Sequence, residues 1–229
     1  MIFADAGSTW SKVFDSDAGE VEILPTAELP KRDLRIDWGT GHVARGRSGH
    51  YENDLVALAK GALALVDAAD FTIIDVGSRD TKYVSFVDRR PHKLDWSVGC
   101  AAATGATVEM LGRFYDVDFA SLPDEEAFIP VTCATYGLER IMDLVARGGD
   151  ARVGVSRFIH GITRNVWAFA GRPERLYLSG GFCRNPAFLR HLGRACDLRS
   201  LGRLVPLAGL WTFAAEQGLV PDGIPSPLR

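Results

Sequence analysis

Two similar octets contain the residues of this sequence best suited to chemistry on phosphates. Residues 5–12 read DAGSTWSK and residues 75–82 read DVGSRDTK, and both fit the pattern D-x-G-S-x-x-[ST]-K. Each octet follows a short apolar segment that predicts a buried strand, MIFA before the first and FTII before the second. The repetition predicts two related structural units within the 229-residue chain.

The small residues of each octet suit the binding of phosphate. Gly7 and Gly77 allow a left-handed backbone or the close approach of a ligand. Ser8, Thr9 and Ser78 add hydroxyl and backbone N–H groups that can surround phosphate oxygens. A common β-turn that occurs twice by chance is the alternative. The strand before each octet and the hairpin predicted after it favour two phosphate-binding turns.

Each octet also begins with a carboxylate and ends with a lysine. Asp5 and Asp75 follow the predicted strands, where a carboxylate can hold hydrated Mg²⁺. Lys12 and Lys82 either add positive charge near the phosphates or lie on the far side of the strand.

A third segment, LSGGFCRNPAF at residues 178–188, predicts a strand, a turn and the start of a helix. Gly180 and Gly181 would let the backbone lie flat against a nucleoside. Asn185 is the predicted N-cap of the helix, with Pro186 at its first position. An ordinary strand-to-helix loop is the alternative.

The elements that position these motifs follow the same order in both halves of the chain. Each half begins with a strand, the octet and a hairpin, and then becomes helical. This order predicts an α/β fold with two lobes around a cleft, residues 1–70 and residues 71–205. A last helix at 206–219 could pack back on the first lobe. The arginine-rich stretch 184–203 is interpreted as a solvated helix face, and GTGHVA at 39–44 as a loop with only weak likeness to a dinucleotide fingerprint.

Two of the four cysteines precede predicted helices. Cys100 and Cys133 take this position, and thiolates at helix N-termini have lowered pKa values and suit negatively charged clusters. Two thiolates are too few for a Cys₄ iron–sulfur site, but a two-fold dimer would bring four together. Burial as small hydrophobic residues is the alternative, and it is the interpretation given to Cys183 and Cys196.

In their order along the chain, DAGSTWSK, DVGSRDTK and LSGGFCRNPAF resemble the phosphate 1, phosphate 2 and adenosine motifs of the actin-like ATPase superfamily. The resemblance implies two ribonuclease-H-like lobes with mixed sheets, with ATP or ADP and Mg²⁺ in the cleft. It implies that Asp5 and Asp75 organise Mg²⁺ and water. The residues implied to bind the nucleotide are Gly7, Ser8, Thr9, Lys12, Gly77, Ser78, Arg79, Gly180, Gly181 and Asn185.

The cysteine segments narrow the resemblance. CAAATG at 100–105 and TCATYGLERIMDLVARG at 132–148 are similar to two segments of the 2-hydroxyacyl-CoA dehydratase activators, also called component A, and of the related benzoyl-CoA reductase ATPase subunits. The resemblance implies a homodimer that shares one [4Fe–4S] cluster, held by Cys100 and Cys133 of each subunit. ATP hydrolysis would drive one low-potential electron, supplied by a donor such as ferredoxin or flavodoxin, to a partner dehydratase or reductase.

The second octet departs from the family pattern D-x-G-G-Q-D-x-K. Ser78 and Arg79 replace the glycine and the glutamine. If the glutamine positions the attacking water, Arg79 changes the rate of hydrolysis. Two other functions stay open: a non-redox ATPase that reactivates a radical or cobalamin enzyme, and a small-molecule kinase of the same fold.

Composition excludes several other classes. The net charge of −3 provides no basic field for nucleic acid. No apolar run reaches the ~20 residues of a membrane-spanning helix, and the start lacks the basic region of a signal peptide. We therefore expect a cytoplasmic protein.

Overall fold

The computed structural model describes residues 1–97 and 105–229. Cys100 and the residues directly after it, where a helix is predicted to begin, lie outside the described residues. The described strands are β1 (Ile2–Ala6), β2 (Trp10–Asp15), β3 (Glu20–Pro25), β4 (Ile36–Thr40), β5 (Ser48–Glu52), β6 (Phe71–Val76), β7 (Thr81–Val87), β8 (Arg90–Ser97), β9 (Arg175–Gly180) and β10 (Asp197–Gly202). The described helices are α1 (Asp54–Leu65), α2 (Gly105–Phe114), α3 (Ala134–Ala146), α4 (Ala151–Phe169), α5 (Pro186–Gly193) and α6 (Val205–Glu216).

The strands form two sheets of the same topology. Their orders are β3-β2-β1-β4-β5 and β10-β9-β6-β7-β8, so each sheet has the order 3-2-1-4-5 when its own strands are numbered along the chain. β1 pairs antiparallel with β2 and parallel with β4. β6 pairs parallel with β9 in the same way. The predicted α/β fold with two mixed sheets is confirmed.

The chain divides into two compact units. The first unit contains Met1–Phe71, Val84–Leu94 and Leu201–Arg229. The second contains Thr72–Tyr83 and Asp95–Ser200. In the described ranges no helix has the length and the apolar character needed to span a membrane.

The sequence analysis predicted a helix face where an edge strand of the second sheet lies, and it missed two strands of the first sheet. Residues 184–203 are not one helix face, because α5 ends at Gly193 and the edge strand β10 follows. Strands β4 and β5 were not predicted. In β5 and β10 nearly every side chain is exposed or half-buried, so neither strand has the alternation of apolar and polar residues that identifies a strand.

The core of the first unit forms where α6 covers β1 and β2. Phe3 and Phe14 lie 5.4 and 5.8 Å from the Trp211 ring, measured between centroids. The Trp211 indole N–H donates to the Gly223 carbonyl over 2.8 Å, so this large side chain is buried with its polar atom satisfied.

Two glycines let α6 lie directly on α1. A Cβ atom placed on Gly209 would lie 1.9 Å from the Ala57 carbonyl oxygen. One placed on Gly61 would lie 2.0 Å from the Val205 carbonyl oxygen. The two helices therefore touch through their backbones, which no residue with a side chain permits.

The core of the second unit is built around α4. Its buried face includes Phe158, Ile159 and Ile162, which belong to one cluster with Ile74 of β6 and Leu178 of β9. The sheet that carries the second octet and the third motif is thus supported by a long, well-buried helix.

We expect Gly209→Ala to lower the free energy of unfolding by about 2 kcal/mol or more, since the new methyl group forces the α1 and α6 backbones apart. Urea denaturation measures this value. Gly193→Ala is the matched control, because a Cβ there has nothing within 4 Å and alanine favours the helix. Equal stability of the two variants would contradict the backbone contact.

Candidate functional site

The first octet brings its carboxylate and its lysine together. Antiparallel pairing of β1 with β2 places Lys12 opposite Asp5. The Lys12 Nζ atom lies 2.7 Å from Asp5 Oδ2, and both side chains are largely buried, at 15% and 9% exposure. Lys12 therefore lies beside the carboxylate at the end of β1.

In the second octet the lysine forms an ion pair with a carboxylate inside the turn. Lys82 Nζ lies 3.0 Å from Asp80 Oδ1, and these side chains are also largely buried. Asp75 accepts a 2.7 Å hydrogen bond from the Ser179 hydroxyl, because Ser179 lies opposite Asp75 in the parallel pairing of β6 with β9. The corresponding residue opposite Asp5 is Thr40, whose buried hydroxyl has no hydrogen-bond partner in the described part of the chain.

The two turns share one backbone geometry. A Cβ on Gly7 would lie 3.1 Å from the Trp10 carbonyl oxygen, and one on Gly77 would lie 3.2 Å from the Asp80 carbonyl oxygen. A side chain at either position would crowd the turn. In the second turn the Gly77 N–H donates to the Asp80 carbonyl over 2.9 Å. The sequence repeat thus corresponds to a structural repeat.

A pair of glycines with positive φ lies beside these turns. Gly180 has φ +94°, and a Cβ on it would lie 2.6 Å from the Val76 carbonyl oxygen and 2.9 Å from Asp75 Oδ1. Gly41 has φ +85°, and its Cβ would lie 2.5 Å from the Ala6 carbonyl oxygen. Each glycine brings the end of one strand against the residue that precedes Gly7 or Gly77.

Sequence reasoning missed Gly41. The segment GTGHVA was assigned to a loop, whereas Gly39 and Thr40 end strand β4 and Gly41 begins the turn. The pattern Thr-Gly at the end of β4 matches Ser-Gly at the end of β9. Comparison of these two dipeptides could have identified the position.

The third motif has the predicted helix start. Asn185 is the N-cap of α5, and its side-chain oxygen accepts a 2.9 Å hydrogen bond from the Phe188 N–H. Pro186 follows at the start of the helix, as predicted. Gly181 is exposed at the end of β9, so its backbone is accessible to a planar ligand.

Cys133 takes the N-cap position of α3, as predicted, and is half-buried. Cys100, its predicted partner in a cluster, lies outside the described residues. Cys183 and Cys196 pack against the core of the second unit. Burial, followed by the neighbouring Asp197, raises the pKa of the Cys196 thiol. Among the described residues no disulfide forms and no three His, Cys, Asp or Glu side chains converge as metal ligands.

The segment that leads to Cys133 is held along α4. The Ile129 N–H donates to the Arg157 carbonyl over 2.9 Å, and the Asn165 amide donates to the Val131 carbonyl over 2.7 Å. Gly161 permits this approach, since a Cβ on it would lie 2.0 Å from the Ile129 carbonyl oxygen. The backbone position of Cys133 therefore depends on α4.

A buried histidine, His191 of α5, also contacts α4. His191 lies 3.2 Å from the Ser156 hydroxyl through Nε2, and its ring stacks on that of His160 at 4.6 Å. Burial is the main cause that lowers the pKa of His191 to about 4, and the charge of His160 adds to it. His191 is therefore neutral in the folded protein at neutral pH.

Comparisons with known proteins agree with the resemblance stated from the motifs. No family model matches the chain. The chain is 20% identical over 176 residues to the (R)-2-hydroxyglutaryl-CoA dehydratase activating ATPase of Acidaminococcus fermentans. The aligned region covers 72% of this chain and 67% of that protein. It is 25% identical over 181 residues to an uncharacterized protein of Methanocaldococcus jannaschii, of which it spans 43%.

Solved structures show the same fold. Component A of the Acidaminococcus fermentans (R)-2-hydroxyglutaryl-CoA dehydratase superposes with a TM-score of 0.78 at 18% identity, over 96% of this chain and 99% of that one. The activator of the 2-hydroxyisocaproyl-CoA dehydratase from Clostridium difficile, with bound ADPNP, gives 0.77 at 19% identity, over 97% and 99%. The chain therefore has the fold of these two activators, as the motifs predicted.

The low pKa of His191 predicts acid sensitivity. Between the ordinary pKa of 6.5 and the folded value of about 4, the unfolded chain binds more protons than the folded chain. Stability is therefore lost as the pH falls from 6.5 through 4, by about 2–3 kcal/mol from this residue.

We expect His191→Gln to reduce the loss of stability between pH 7 and pH 4 by about that amount. Urea denaturation at several pH values measures it. His92→Gln, at an exposed position of β8, is the control. It should leave the dependence of the free energy of unfolding on pH unchanged. A His191→Gln slope equal to that of the original protein would show that His191 does not carry the effect.

Proposed function

We propose that this chain is an ATPase that activates a partner enzyme by delivering one low-potential electron to it. The partner would be a 2-hydroxyacyl-CoA dehydratase or a related reductase, and the donor a ferredoxin or a flavodoxin. The single observation that carries the proposal is the duplicated turn, which has the same backbone geometry beside the first strand of two sheets of equal topology.

Each turn would contribute groups that bind the phosphates of ATP. The backbone N–H groups of Gly7, Ser8 and Thr9, with the two hydroxyls, would form one set of donors. The backbone and hydroxyl of Ser78 would form the other, beside Gly77, whose small size lets a phosphate approach. Gly180, Gly181 and Asn185 would lie next to the nucleoside. The relative from Clostridium difficile, whose structure contains ADPNP, supports this assignment.

Asp5 and Asp75 would hold hydrated Mg²⁺ and orient the attacking water. Each carboxylate is already oriented by a neighbour, Asp5 by Lys12 at 2.7 Å and Asp75 by the Ser179 hydroxyl at 2.7 Å. Carboxylates that bind Mg²⁺ through water need such a fixed orientation, because the hydrated ion accepts only near-octahedral geometry.

Cys133 fits a soft metal site that is shared between two subunits. Its half-buried thiol stands at the N-terminal end of α3, where the helix dipole favours a thiolate and a negatively charged cluster. Two such thiols per chain, Cys100 and Cys133, would supply four in a homodimer. A [4Fe–4S] cluster held there would supply the low-potential electron.

Nucleotide binding would repack the dimer interface around the cysteines. The segment along α4 keeps the Cys133 backbone in place during this change. We expect the protein to act in the cytoplasm, where reduced thiols persist.

Iron and sulfide analysis of anaerobically purified protein tests the redox part of the proposal. We expect about four iron and four sulfide per dimer and a brown colour. Cys133→Ser should abolish the iron, because one ligand from each subunit is lost. Cys196→Ser is the control and should keep it, since Cys196 packs against the core.

Protein that binds ATP but contains no iron after anaerobic purification and reconstitution would contradict the redox assignment. That result would favour a non-redox ATPase that reactivates another enzyme. Phosphorylation of a sugar or an acid would favour a kinase.

Arg79 offers a separate test of the ATPase. Its side chain is exposed in the second turn, where the related activators carry glutamine. We expect Arg79→Gln to raise the rate of ATP hydrolysis by about tenfold with little change in nucleotide affinity, because a neutral amide can orient water. Phosphate release under single-turnover conditions measures the rate. Arg89→Gln, in the β7–β8 turn, is the control, and a slower Arg79→Gln variant would contradict the assignment.

A further inference from the structure

The second phosphate-binding turn is hydrogen-bonded to the chain on both sides of the segment that contains Cys100. Before that segment, the Trp96 indole N–H donates to Asp80 Oδ2 over 3.1 Å. After it, the N–H groups of Gly105 and Ala106 donate to the carbonyls of Gly77 and Ser78 over 3.2 and 3.0 Å. The described residues on either side of Cys100 are thus attached to one turn of four residues.

The contact on the Trp96 side is electrostatic as well as geometric. Asp80 is bonded to the Lys82 ammonium through Oδ1 and to the Trp96 indole through Oδ2. The ammonium also lies 5.7 Å from the centroid of the Trp96 ring, within the range of a cation–π interaction. A change in the charge near Lys82 therefore alters the electrostatic environment of both groups that Trp96 contacts, the Asp80 carboxylate and the Lys82 ammonium.

The contact on the Gly105 side requires a glycine. A Cβ on Gly105 would lie 2.9 Å from the Gly77 carbonyl oxygen and 3.2 Å from the Ser78 Cα atom. The first turn of α2 thus rests directly on the backbone of the phosphate-binding turn. Movement of that backbone displaces the start of α2.

The first turn has no comparable attachment among the described residues. There the Gly7 carbonyl accepts a 2.9 Å hydrogen bond from the Thr26 hydroxyl. Thr26 belongs to the short 3-10 helix Thr26–Lys31. The residue equivalent to Asp80 is Trp10, which cannot hold a lysine. Within the described residues, the second octet alone therefore combines a turn of this kind with a connection to the residues that flank a cysteine segment.

We propose that Asp80, Trp96 and Gly105 are positioning residues that transmit the nucleotide state of the second turn to the chain on both sides of Cys100. This inference rests on the proposed binding of ATP. A phosphate bound at the turn attracts the Lys82 ammonium, which leaves more of the Asp80 charge to the Trp96 indole. The Asp80–Trp96 hydrogen bond is then stronger in the nucleotide-bound protein.

Because coupling between two sites is reciprocal, removal of the indole donor weakens nucleotide binding. We expect Trp96→Phe to bind ADPNP up to about threefold more weakly, because the variant loses only the difference in strength of the Asp80–Trp96 hydrogen bond between the free and the nucleotide-bound protein. Trp167→Phe is the matched control, since its indole N–H donates to the Pro173 carbonyl within the same unit. This control should bind ADPNP with unchanged affinity.

Intrinsic fluorescence distinguishes transmission from a merely structural role. Trp96 emission, taken as the difference between the original protein and Trp96→Phe, should shift when ADPNP saturates the site, because the charges next to the indole change. Hydrogen exchange of the Gly105 and Ala106 amides should slow under the same conditions. Trp167→Phe should keep both responses.

Nucleotide binding is measured separately by calorimetry. If ADPNP binds but Trp96 emission and the two amides do not respond, the inference is overturned and the proposed ATPase stands. If ADPNP does not bind, the proposed function and the inference are both overturned.

Discussion

The close approach of two strand ends in each sheet is the constraint on which the rest of the candidate site depends. Gly41 lies against the Ala6 carbonyl and Gly180 against the Val76 carbonyl, at distances that exclude any Cβ atom. Both glycines have positive φ, so a side chain would add backbone strain to a collision. The parallel pairing of β1 with β4 and of β6 with β9 therefore continues up to the phosphate-binding turns, and it places Thr40 and Ser179 opposite Asp5 and Asp75.

The same strand pairing supports two turns that differ in their charged side chains. In the first octet the lysine reaches the strand-end carboxylate, because the sixth position is Trp10 and offers no competing charge. In the second octet the sixth position is Asp80, whose carboxylate forms an ion pair with Lys82. Asp75 accepts a hydrogen bond from the Ser179 hydroxyl. The difference at the sixth position thus adds a carboxylate to the second turn.

The sequence predicted the parts of the fold that have a hydrophobic signature. The strands before each octet are apolar and buried, and α4 has a regular buried face, so both kinds of element were recognised. Strands β5 and β10 lie at sheet edges with little buried side-chain area, and they are defined by backbone hydrogen bonds that leave no pattern in the sequence. The partner of Lys82 could not be predicted either, because Asp75 and Asp80 are both within its reach.

The described residues that flank the two cysteine segments are held by different parts of the second unit, and this difference fits the proposed function. The chain before Cys133 is bonded to α4, whose buried face belongs to the core, so its position is set by packing. By contrast, Trp96 and Gly105, described residues on either side of Cys100, are bonded to the second turn. The proposed activator would need one cysteine segment held by packing and one that responds to nucleotide. In that proposal the duplicated turn would supply the nucleotide site, and the divergence of its second copy would supply the connection to the residues that flank Cys100.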